Sequence, residues 1–247
     1  MKDIFRNLEQ YQIDPLREIR GAGIVTNGNV YWVKSPTDAD YVTLQDTVGR
    51  DRMGTAINNV MTSARNDRND YILVTPTDSG TSYVPGTAID VNKRRVHIIG
   101  IGATLSRNNK PTFEAYGTTS GVDTEIMFVT AEGAEVRGIK LLGTSGTSGN
   151  GTLTSYLRIG TASSGTPHGA TFVNVDVEST QAAAANGTAD IVTIAGDVAT
   201  GIKGLRFEDC WIGNWSWVPT NGVVNMSGTA GPTRLEFVNT TFVIDAQ

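Results

Sequence analysis

The chain has 247 residues, a formal net charge of −5 and 28 glycines, with 39% hydrophobic and 18% charged residues. That length holds one large domain or a medium one with appendages, and the acidic balance argues against nucleic acid as the main partner. Abundant turn formers, little charge and recurring clusters of Val, Ile, Leu and Phe lean towards a loop-rich all-β protein, not a disordered or membrane-spanning one.

Residues 1–29 come first and stand apart. Ile4, Leu8 and Tyr11 lie at helical spacing, Phe5, Ile13 and Leu16 add apolar surface around Pro15, and Gly21-Ala22-Gly23 and Asn27-Gly28 then break the chain. Two readings are open: an arm that docks on another protein, or a segment folded back along its own chain. Scattered charges and the lack of an apolar core rule against a signal peptide here, so synthesis in a cytoplasm is expected. Residues 1–68 carry nine Lys/Arg and nine Asp/Glu, whereas residues 69–247 carry eleven and sixteen, so the acidity belongs to the later region.

Residues 30–69 read as an opening strand, Val30-Tyr31-Trp32-Val33, followed by an amphipathic helix. Met53, Ile57, Val60, Met61 and Ala64 fall at helical spacing with polar residues between them. The strand Tyr71-Ile72-Leu73-Val74-Thr75-Pro76 then begins the last region, residues 70–247.

That region is repetitive. Five segments share an apolar residue, a spacer, a Gly, Asn or Asp, and then an alternating pair. They begin at Ile98, Val136, Phe172, Phe207 and Phe237, which are 38, 36, 35 and 30 residues apart. Gly100, Gly138, Asn174, Asp209 and Asn239 take the third position, where residues tolerant of the left-handed backbone region permit a sharp bend. Each copy follows an earlier apolar strand: Ala88–Val91, Ile126–Val129, Tyr156–Ile159, Ile191–Ile194 and Val223–Met226. Alternation places one set of side chains inside and the other in water. The near-fixed period and the scarcity of hairpin signals favour a parallel coil over an antiparallel sandwich.

An opening strand, a cap helix, a DYILV strand and repeating rungs such as Val136-Arg137-Gly138-Ile139 and Phe172-Val173-Asn174 resemble the pectate-lyase-like right-handed β-helix superfamily, over roughly residues 30–247. The resemblance implies an all-β, right-handed parallel β-helix of about five to six rungs, with the helix capping its first rung. It does not fix a function, because the fold serves lyases, hydrolases, tailspikes, adhesins and virion structural proteins.

Lyases of this kind need an arginine base with calcium-binding acids, and hydrolases need paired carboxylates. Asn-Thr-Asp, Gly-His-Gly, Arg-Ile-Lys and Asp-Asp are all absent from the chain. His97, pointing outward, and His168, in a loop, share no metal-ligand spacing. The remaining acids, Asp176, Glu178, Glu208 and Asp209, are expected to be solvated side chains on an outer face. Cys210, the sole cysteine, is expected to be a small buried hydrophobe. No catalytic residue, metal site or cofactor is therefore assigned.

Two surfaces remain. Trp211, Trp215 and Trp217 form an interface, a packed loop or a glycan platform, with Trp211 facing outward. At the far end Phe237, Phe242 and Ile244 belong to a final rung that no following segment covers, and an uncovered apolar edge calls for a neighbour. The function expected is a non-enzymatic bacteriophage virion protein, a capsid decoration or cement protein assembled in the host cytoplasm. Its partners would be further copies (a homotrimer, by resemblance) and the major capsid protein or another virion component, with no nucleic acid and no membrane. A tail spike, fibre or adhesin binding surface glycans is the alternative, and a polysaccharide lyase or hydrolase the second.

Overall fold

The computed structural model describes residues 28–33, 53–54, 57–76, 82–83, 88–101, 110–114, 125–143, 154–161, 167–179, 190–196, 201–214, 223–228 and 232–244. Over these the protein is all-β, with a single short helix and strands gathered in three parallel sheets. With strands numbered in chain order, the first sheet holds β1 (Val30–Val33), β2 (Met53–Gly54), β3 (Tyr71–Val74), β5 (His97–Gly100), β8 (Glu135–Arg137), β11 (Thr171–Val173), β14 (Leu205–Glu208) and β17 (Leu235–Val238). The second holds β6 (Thr112–Glu114), β9 (Lys140–Gly143), β12 (Asp176–Ser179), β15 (Trp211–Asn214) and β18 (Thr241–Ile244). The third holds β4 (Ile89–Val91), β7 (Met127–Val129), β10 (Ser155–Ile159), β13 (Asp190–Gly196) and β16 (Val224–Gly228). From β5 onward the chain visits the sheets in the same cyclic order, so from β7 onward each strand pairs with its counterpart one coil earlier.

Constant register turns the sequence repeat into columns. Ile72, Ile98, Val136, Phe172, Phe207 and Phe237 are successive partners on the inner side of the first sheet. Phe113, Leu141, Val177, Ile212 and Phe242 do the same in the second sheet. Met127, Leu157, Val192 and Val224 do so in the third. Phe172, Phe207 and Phe237 stack with centroids 4.8 and 5.1 Å apart. One hydrophobic cluster runs from Tyr31 to Val223, so the opening segment and the repeats share a core.

The bends lie where the repeat places them. Gly138, Asn174, Asp209 and Asn239 have φ of 63°, 53°, 52° and 49°. Their amides also tie coils together: Gly138 donates to the carbonyl of Val173 (3.0 Å), Asn174 to Glu208 (2.8 Å) and Asp209 to Val238 (3.0 Å). Gly100 departs from the expectation. It ends β5 without a left-handed φ, and a Cβ there would lie 2.0 Å from the Gly138 carbonyl oxygen. Its small size serves close approach of the next coil, and the chain reaches the second sheet only at Thr112.

The cap helix is shorter than its periodicity suggests. Helix α1 covers Ile57–Met61, while Met53 belongs to β2, where the backbone pairs with Trp32 instead of continuing the helix. Ile57, Val60 and Met61 are buried in the core with Tyr31 and Val33. Asn58 terminates the third sheet: its Nδ2 donates to the Ala88 carbonyl (2.9 Å) and its Oδ1 accepts from the Asp90 amide (3.2 Å). A side-chain amide thereby takes the place of a neighbouring strand on β4. The buried Asp70 carboxylate closes this end, accepting from the amides of Asn29 (2.7 Å) and Arg65 (2.9 Å) and from Arg68 Nε (3.1 Å).

Candidate functional site

The four acids do not form one site. Alternation sends Val177 and Ile212 inward, so Asp176, Glu178 and Trp211 stand on the outer side of the second sheet. Contrary to expectation, Asp176 and Glu178 are not solvated: they are 1% and 4% exposed. Lys110 Nζ donates to Asp176 Oδ1 at 2.8 Å, and Lys140 pairs with Glu178. A carboxylate withdrawn from water needs such a partner, and lysines from earlier coils supply it. Glu208 lies elsewhere, on the first sheet, where Arg206 Nε and Nη2 reach it at 3.2 and 3.1 Å. Asp209 is exposed at its bend and accepts from Asn239 Nδ2 at 2.5 Å. Asp176, Glu178 and Asp209 thus tie one coil to another, whereas Glu208 pairs along its own strand.

The histidines do similar work. His97 faces outward as expected, but it is packed: its ring stacks on Tyr71 at 4.5 Å, and its Nδ1 lies 2.8 Å from Glu135 Oε2. Glu135 Oε1 also accepts from Arg137 Nε (3.1 Å) and Nη2 (3.0 Å). Tyr71, His97 and Glu135 occupy one column on three successive strands. The group was hidden in the sequence, although the 38-residue step from His97 to Glu135 equals one repeat. The His97 hydrogen bond, followed by the Arg137 charge, outweighs burial and holds the Glu135 carboxyl below its ordinary range. Burial, then the Glu135 charge, pushes the Tyr71 phenol up. His168 sits at a turn and its Nδ1 accepts from the Lys203 amide at 3.1 Å.

Because its carboxyl is depressed in the folded protein, Glu135 stabilises the fold fully above the ordinary glutamate range. That contribution is lost as pH falls through the lowered value. Wild type should therefore exceed Glu135→Gln by about 1–2 kcal/mol at neutral pH, with the gap closing in acid. Urea unfolding of both proteins across that range measures it.

Cys210 is buried, and desolvation pushes its thiol up to about 11. Its Sγ contacts the carbonyls of Phe172 (3.4 Å) and Glu208 (3.3 Å), so it is a core residue as expected. Trp211 is half-buried in the column between Asp176 and Thr241, with Nε1 withdrawn from solvent. Trp215 and Trp217 lie outside the described residues, as do Ile4, Phe5, Leu8, Tyr11, Ile13 and Leu16.

The last coil presents the largest anomaly. Phe237 and Phe242 belong to the inward columns, and Met226 and Ile244 continue inward rows of β16 and β18. Yet they are 37%, 43%, 60% and 59% exposed. Phe237 and Phe242 meet edge to face at 5.0 Å, so these two rings form continuous apolar surface. Among the described residues no strand pairs with the far edges of β16, β17 or β18. The opposite end differs in each sheet: two-residue β2 ends the first, a bridge from Tyr83 to Phe113 ends the second, and Asn58 ends the third.

The fold and this surface define an all-β protein of three parallel sheets with an apolar last coil. Set against family models, curated proteins and solved structures, the chain matches none. Among the described residues no helix is long and apolar enough to cross a membrane, and no three His, Cys, Asp or Glu residues gather as metal ligands.

Proposed function

We propose that the chain is a right-handed parallel β-helix serving as a non-enzymatic structural protein of a bacteriophage virion, a capsid decoration or cement protein. It docks through residues 1–29 and associates with further copies. The observation that carries this reading is the exposure of Met226, Phe237, Phe242 and Ile244, which continue the inward rows of their sheets, as apolar surface that another chain can cover. The acids that would be candidates for catalysis support it too, since Asp176 and Glu178 are held by lysines and Glu208 by Arg206. The glycan-binding alternative draws less support, because Trp211 is half-buried in its column.

Deleting residues 1–27 of this arm, which spares Asn29 and its hydrogen bond to Asp70, should leave the parallel sheets folded but abolish incorporation into the particle. Circular dichroism of the purified variant and its copy number in particles assembled with and without the deletion check this. Normal incorporation of the truncated protein sinks the docking-arm reading.

A further inference from the structure

We infer that Lys110 and Asp176 are poised to condense into an isopeptide bond, a covalent staple between coils that the fold itself brings about. The inference goes beyond the virion reading and holds whatever the chain assembles with. Three observations carry it. Lys110 Nζ lies 2.8 Å from Asp176 Oδ1, which sets the nitrogen roughly at the 3–3.5 Å attack distance from Cγ. Both side chains are withdrawn from water, at 3% and 2% exposure. The surroundings are dry as well: the Cys210 thiol, near enough for both charges to act on it, is pushed up to about 11 chiefly by desolvation.

Burial penalises charge, which lowers the cost of passing one proton from the ammonium to the carboxylate along their hydrogen bond. An amine then faces a carboxylic acid, and the Nζ lone pair attacks Cγ. A second proton moves from Nζ to the hydroxyl oxygen, the Cγ–O bond breaks and one water leaves. The products are an amide and water, so no oxidant or cofactor is consumed. Well-placed neighbours react at effective molarities of about 10⁵–10⁸ M, and a site closed to water resists the reverse hydrolysis. Glu178, the other buried acid on this face, is held by Lys140, so the pair must move its own protons. Closure is therefore slow beside folding, and newly folded protein holds the open ion pair.

Its place in the fold gives the bond a use. Lys110 precedes β6, Asp176 opens β12, and β9 lies between those strands in the second sheet. The bond would clamp three successive coils, whereas each strand ladder joins only neighbours.

The test is mass spectrometry of the full chain, held folded at neutral pH for days and then denatured. Wild type is expected to weigh less than its sequence by one water. Trypsin, which spares the Lys110-Pro111 bond, should then yield a branched peptide joining residues 108–137 to residues 159–203. Lys110→Arg keeps the positive charge but removes the amine, and should show the full mass and two separate peptides. A wild-type chain of full mass whose peptides stay separate overturns the inference, whether or not the variant folds. So does a loss of water that maps elsewhere in the chain.

Discussion

Replacing Lys110 with Met should lower the unfolding free energy by about 3–5 kcal/mol, because it takes the ammonium away from a carboxylate that is withdrawn from water. The side chains of Lys110 and Asp176 are 3% and 2% exposed and their contact is 2.8 Å. Water cannot readily take over from the lost ammonium, so the cost is mainly electrostatic. Asp176→Leu alone should be similarly damaging through the ammonium left behind. The double variant Lys110→Met/Asp176→Leu should recover most of the loss, since a buried ion pair can be exchanged for packed apolar groups at little cost. Urea denaturation of the four proteins completes the cycle; a near-zero effect of Lys110→Met would mean that the pair is hydrated in solution.

Phe207→Ala should cost about 3–5 kcal/mol, the range for removing a large aromatic from a packed core. Phe207 is 1% exposed and stacked on both sides, by Phe172 and by Phe237. The same substitution at Phe237, whose 37% exposure leaves it packed on one side, should cost less than half as much in the isolated chain. Thermal melts of both variants measure each value.

The columns and bends were readable in the sequence for a physical reason. A strand alternates with period two, and Asn174, Asp209 and Asn239 tolerate a left-handed backbone that most residues avoid. Where one position serves two demands, the reading slipped: Gly100 looked like another bend and is a close-packing glycine at the end of β5. Met53 fitted a helical stripe, but backbone pairing with Trp32 took it into β2. The acids were misjudged because alternation reports which side of a sheet a residue occupies, not whether that side is wet. Lys110 is 66 residues before Asp176 and outside the repeated segments, so no local pattern announced it. The His97–Glu135 contact was accessible in principle, since register converts one repeat length into a touching pair.

The bend amides have a mechanical consequence. The amides of Gly138, Asn174 and Asp209 donate to the following coil, and the strands around them pair with the coils on either side, so the backbone cohesion of the rod is a chain of nearest-neighbour links. A force applied at the last coil would peel the rod one coil at a time, like tape from a roll, and each step would bare the next row of the interior. At the other end the Asn58 and Asp70 fastenings oppose such peeling. Holding the last coil against such a force therefore protects every coil behind it.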